Sequence, residues 1–251
     1  MEKLVLNPYL PNNNVKSVLL GTAAISYQNE LSKLGINPLF VNGKNALPPP
    51  LNGHIDMLVN HYSDNLFYIE KGQNKLFNKL TEYGVCSVVI KDNIKAGYPD
   101  DVKLNCIKIG NTLICNVKTI AKEIIKKASS DGCKILNVNQ GYTKCSVLIV
   151  NKNAVITDDE SVFSSLNNSC FDTLLVKKGS VMLPNYNYGF IGGCGGMISK
   201  NEIVFFGDIK KHDSYENIKS FLNNYKIQEI SLSNENLSDI GSMIPLTECE
   251  E

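Results

Sequence analysis

The chain has 251 residues, with 25 basic and 25 acidic side chains and a formal net charge of zero. At 43% hydrophobic and 20% charged residues, it is long and apolar enough to bury a real core. The charge balance excludes the basic footprint of a nucleic-acid binder, and no apolar run reaches the roughly 20 residues that cross a bilayer.

In chain order, Ser17–Leu20 reads as a strand and Ala23–Leu34 as a helix stopped by Gly35. Pro38–Val41 then reads as a second strand. From Gly53 a fuller pattern begins. His54–Asn60 and Asn65–Glu70 form a hairpin, and Asn74–Tyr83 has helical spacing through Leu76, Phe77 and Leu80 up to Gly84. Cys86–Ile90 is a β-branched strand. The same order returns with Leu104–Ile109, Asn111–Val117, the helix Thr119–Ser130 and Lys134–Val138. A third copy has Cys145–Val150, Ala154–Thr157, a capping-box pattern at Thr157–Glu160 and Thr173–Val176. A fourth has Gly196–Ser199, Glu202–Phe206, a helix capped at Asp213 and running to Asn224, and Glu229–Leu232. Ser242–Leu246 is a lone strand, and it is the first strand that the N-terminal copy lacks.

Strand-strand-helix-strand units therefore recur about every 40–50 residues. The expected fold is one α/β domain over residues 1–251. Its five units form a five-fold pseudosymmetric β/α propeller, with the chain ends closing the ring and the first strands converging on a central pore. A polar or glycine-rich turn opens each of these units, such as Asn52-Gly53, Asn139–Gly141, Gly192–Gly196 and Gly241.

The eight cysteines are widely spaced with no CxxC pair, and there are three histidines. Reduced thiols in a cytoplasmic protein are expected, with neither zinc nor an organic cofactor. The N-terminus is too polar for a signal peptide. All 25 basic residues are lysine, so no side chain offers the planar fork that clamps carboxylates.

Two first strands carry chemistry. Gly53-His54-Ile55-Asp56 pairs an acid/base candidate with a carboxylate two residues on, which a strand would place on one side. Cys145 follows a turn beside Lys144, whose charge would favour a thiolate nucleophile. Cys194, in its glycine cluster, stands as the alternative reactive thiol. Cys86, Cys106, Cys115, Cys133 and Cys170 read as buried strand residues, and His61 and His212 as surface residues.

These motifs resemble the pentein, or guanidino-group-modifying, superfamily. Gly53–Asp56 is similar to its GHxD, Thr143–Ile149 to a nucleophile strand, and Gly195–Ile198 to a GGDV hairpin. The resemblance implies a covalent C–N hydrolase or transferase with Cys145 as nucleophile, His54 as acid/base and Asp56 as partner. Lys144, Gly196, Met197 and Ser242 would contact a small amidine, amide or ureido substrate in the pore. Departures are a central rather than C-terminal nucleophile, Met197 where the family has aspartate, and the absence of arginine. They speak against free arginine or methylarginine as substrate. They also keep open a catalytically inactive binding module that docks a macromolecule or small ligand. Homo-oligomerisation stays open, and no membrane or nucleic-acid partner is expected.

Overall fold

The structure, a computed structural model, describes residues 1–250. Its strands form five separate sheets of one pattern, plus a two-stranded ribbon. In each of the five, two strands pair antiparallel and the second pairs in parallel with a third. A helix returns the chain between the parallel strands, the crossover that parallel pairing requires.

The sheets comprise Val59–Ser63, Leu66–Ile69 and Cys86–Val89; Ile107–Ile109, Thr112–Cys115 and Lys134–Asn137; Val147–Asn151, Ala154–Thr157 and Asp172–Leu175; and Gly195–Ser199, Glu202–Phe205 and Gln228–Ser231. The remaining sheet joins both chain ends. Ile244–Cys249 pairs with Val15–Gly21 in the register Ile244↔Leu19 and Pro245↔Val18. Glu2–Leu4 pairs on its other side, and Asn37–Val41 completes the order. The expected pairing of the C-terminal strand with Ser17–Leu20 is therefore present.

Helices bury one stripe each: Leu76 and Leu80, Ile124 and Ala128, Val162 and Leu166, and Ile218 with Leu222. That spacing turns an apolar face toward the sheet and leaves the lysines outside. First and second strands are almost wholly buried, as in Val147–Val150 and Ala154–Thr157, whereas third strands are partly exposed. Val59–Ser63 lies against Ile107–Ile109, Val147–Asn151 against Gly195–Ser199, and the latter against Ile244–Cys249. First strands thus neighbour first strands.

Several local expectations change. The N-terminal helix splits into a 3-10 segment, Thr22–Tyr27, and an α-helix, Gln28–Lys33. Asp159, not Thr157, caps its helix by accepting from Ser161 and Val162 backbone N–H groups, and the Thr157 hydroxyl instead donates to the Ser146 carbonyl. His61 and His212 are buried, not superficial. His61 stacks on Phe67 at 4.1 Å, and His212 Nδ1 accepts from the Ser214 backbone at 2.9 Å, so each is a core ring with a local polar partner. Cys86, which begins the edge strand Cys86–Val89, and Cys170, in the turn before Asp172–Leu175, are exposed, and Cys133 is only half-buried. The ribbon Val181–Met182 with Leu237–Ser238 was not expected from the sequence. No helix among the described residues is long and apolar enough to cross a membrane.

Deleting residues 240–251 should abolish cooperative folding. Met243, Ile244 and Leu246 are each at most 1% exposed, and each contributes roughly 1.5–3 kcal/mol on burial, a sum near a whole domain's stability of about 5–15 kcal/mol. Thermal unfolding followed by circular dichroism checks this, and an unchanged melting transition would contradict it.

Candidate active site

Five turns, each immediately before a first strand, converge on one region. They carry His54 and Asp56, Asn105, Lys144 and Cys145, Phe190 to Gly193, and Asp239 to Gly241. The expected strand positions of the first two motifs shift accordingly. His54 is extended backbone between 3-10 turns Leu51–Gly53 and Ile55–Met57, and the strand begins only at Val59. Cys145 lies in a single helical turn, Thr143–Ser146, ahead of its strand. A tight turn, rather than strand alternation, brings His54 and Asp56 to one cluster.

Cys145 and Asp56 meet directly: Sγ donates to Asp56 Oδ2 at 3.0 Å. Asn105 Nδ2 donates to the same sulfur at 3.1 Å. Asn105 Oδ1 accepts from the backbone N–H groups of Lys144 and Cys145 at 2.6 and 3.2 Å, which fixes the amide's orientation and the helical turn together. His54 is fully buried, and neither ring nitrogen has a hydrogen-bond partner. Its nearest charged group is Asp239, with Nδ1 at 3.8 Å from Oδ1.

Asp239 is held by backbone alone: Oδ2 accepts from Phe190 N at 2.9 Å and Oδ1 from Gly241 N at 3.0 Å. The chain comes this close because of its glycines. A Cβ on Gly193 would fall 1.9 Å from Asp239 Oδ1, and one on Gly241 (φ +76°) would fall 2.3 Å from His54 Cβ.

His54, Cys145 and Asp239 line the buried end of a cavity of about 280 Å³, whose wall includes Tyr142, Tyr188 and Phe190. The electrostatics differ from the sequence expectation. Burial, with Asp56 and Asp239 nearby, pushes the Cys145 thiol well above its ordinary value, so the resting group is a neutral thiol. Burial raises the Asp56 carboxyl to about 6, against the favourable pull of His54. Lys144 does not activate Cys145. Its Nζ turns away to donate to the Gly192 carbonyl at 3.1 Å and lies 5.0 Å from the centre of the Tyr9 ring, and burial lowers its own pKa.

The expected substrate contacts Lys144, Gly196, Met197 and Ser242 border a different space with Tyr9, of about 10 Å³, room for about one water. Met197 is buried and packs in the apolar core with Ile203 and Phe205, and it does not border the cavity that holds Cys145. Cys194, the alternative thiol, is fully buried, donates to the Ile191 carbonyl at 3.1 Å and does not border the larger cavity. Two residues of this cluster carry no motif in the sequence. Asp239 could have been noticed two positions before Gly241, and Asn105 as a lone amide in the apolar run Leu104–Ile109. Asp239 places a carboxylate on the cavity wall where Met197 does not reach.

The model of a family of unknown function (DUF6873) matches residues 21–244. No curated protein matches the chain in sequence. Solved structures match in fold. SxtG, an amidinotransferase from Microseira wollei in the saxitoxin biosynthetic pathway, aligns over 94% of this chain and 96% of its own, with 9% identity and a TM-score of 0.58. Inosamine-phosphate amidinotransferase StrB1 from Streptomyces griseus aligns over 99% and 98%, with 9% identity and a TM-score of 0.58. Agmatine deiminase of C. jejuni aligns over 92% and 90%, with 11% identity and a TM-score of 0.53. The chain thus has the mixed α/β fold of the pentein superfamily, as its motifs suggested.

A carboxyl raised from 3.8 to about 6 binds a proton more tightly folded than unfolded. Its contribution favours the folded state below about pH 4 and is lost as pH rises through about 6. Asp56→Asn should therefore be more stable than the parent at about pH 8, by on the order of 2–3 kcal/mol, with the gain vanishing near pH 4. Urea unfolding at both pH values tests this, and a parent at least as stable at the higher pH would contradict it.

Proposed function

The chain belongs to this family of unknown function, and we propose that it is a cysteine-dependent C–N hydrolase or transferase acting on a small amidine, amide or ureido compound. The observation that carries the reading is one cavity bordered by a thiol, an unpartnered imidazole and a carboxylate, with a second carboxylate bonded to the thiol. In this reading the five sheets are blades around one axis and the site lies at the end where their first strands begin.

Cys145 is the nucleophile, His54 the acid/base, and Asp56 and Asp239 flank the reacting group. A cationic amidinium between the two carboxylates offsets the repulsion that keeps the thiol protonated. The C–S bond forms as the C=N electron pair moves to nitrogen. The thiol proton passes to His54, which delivers it to the leaving nitrogen as the C–N bond breaks. Water, or an acceptor amine in a transferase, then attacks the thioamidine carbon. His54 takes its proton, and the sulfur leaves as the thiol is restored. Asn105 is a positioning residue that holds the sulfur and the turn behind it. Eight free thiols suit a reducing cytoplasm.

The second reading, a binding module, is favoured by the neutral resting thiol: the same cavity would take a cation without a covalent step. Treatment with 2-chloroacetamidine separates the two. Peptide mass mapping should place the adduct on Cys145. Cys145→Ser should remove it and Cys106→Ser should keep it. Labelling confined to the exposed Cys86 and Cys170 would defeat the enzymatic reading.

A further inference from the structure

The polarity of the cavity is one-sided. Its buried end holds Asp239 beside His54 and Cys145, whereas Leu51, Met57, Leu183 and four aromatic rings make up most of the rest. Among the described residues bordering it there is no lysine, and the chain has no arginine. Lys144 is turned to the Gly192 carbonyl. Lys178 lies 5.9 Å from the centre of the Tyr188 ring but is drawn to Asp159 at 3.9 Å and does not border the cavity.

The rings are ordered relative to one another. Tyr142 and Phe190 stack with their planes 28° apart and centroids 6.1 Å apart, and Tyr188 meets Phe190 edge-on at 6.2 Å. Tyr142 is anchored by its hydroxyl, which donates to Asp101 at 2.6 Å, so its ring contributes a fixed apolar surface. Phe190 is fixed through its own backbone N–H, bonded to Asp239. The residue that supplies the acidic end therefore also sets the aromatic wall. Tyr186 remains 46% exposed at the lip.

An anionic group on a ligand would lose its hydration here, meet no lysine or arginine, and face Asp239 beside the one imidazole. A cation would meet a buried carboxylate and ring faces, both of which favour it. At about 280 Å³ the space is at the small end of ligand cavities, enough for one ring beside an amidine group.

We infer that the ligand is a carboxylate-free monocation, an amidinium or guanidinium bearing one aromatic or compact apolar substituent that rests on Tyr142, Tyr188 and Phe190. This rests on the proposed reading of Cys145 and adds the substrate class.

Three chloroacetamidine probes test it: the parent compound, its N-(2-phenylethyl) derivative and its N-(4-carboxybutyl) derivative. The rate constant for labelling Cys145 is read by mass spectrometry. The phenylethyl probe should react about tenfold faster than the parent, from aromatic contact and apolar burial, and the carboxybutyl probe slower than the parent. Tyr188→Ala should bring the phenylethyl-to-parent ratio toward one. A phenylethyl probe no faster than the parent, or a carboxybutyl probe faster than it, overturns the inference while leaving Cys145 as the nucleophile. Failure of all three to label Cys145 removes the inference together with the reading beneath it. The comparison of probes on the unaltered protein needs no variant to fold.

Discussion

The site depends on two buried carboxylates that form no direct ion pair with a lysine among the described residues and are eased only by the neighbouring His54 and Lys144. Asp56 and Asp239 are 1% and 4% exposed, and taking such groups from water is expensive unless hydrogen bonds or opposite charge compensate. Asp239 meets the demand with two backbone N–H groups. Asp56 meets it only in part, through the Cys145 thiol, with its other oxygen unpartnered. The nearby ammonium, Lys144, is directed elsewhere. What remains is a pair of carboxylates only partly compensated, next to a thiol that burial and those carboxylates keep protonated.

The scaffold makes this arrangement affordable by distributing it over five turns. Each turn occupies the same place in its unit, ahead of a buried first strand, so each is anchored by apolar strands that tolerate little movement. Close backbone approach then sets the polar geometry. Gly193 and Gly241 let the Phe190–Gly193 and Asp239–Gly241 turns lie against one another and against His54, where any side chain would collide. A site assembled from such distant segments needs the whole fold, and the fold needs its C-terminal strand in the middle of the sheet that joins the chain ends.

Most of the architecture was legible in the sequence because it rests on periodicity. The β-branched runs, the 3.6-residue stripes and the recurring glycine stops all appear as local patterns, and the split unit followed from counting strands. That Asp56 and Cys145 touch, and that His54 and Cys145 border one cavity, agrees with the motif resemblance and unit spacing. What escaped was decided by side-chain direction and long-range contact. Lys144 is adjacent to Cys145 in sequence, yet its stem runs toward Gly192 and Tyr9. Asp239 and Asn105 belong to no motif, and only the convergence of the turns gives them meaning. His61 and His212 looked superficial in polar surroundings because a buried ring bonded to one local backbone group leaves no trace in composition.

The most direct test of the central claim is the ionisation of Cys145, followed by thiolate ultraviolet absorbance as the difference between the parent protein and Cys145→Ser. In the free protein the account predicts no Cys145 step below the ordinary cysteine value of about 8.5, because burial and two carboxylates oppose the thiolate. Saturating acetamidinium should bring the step down. A free thiol that already ionises near neutral pH, or one that acetamidinium leaves unmoved, would contradict the account.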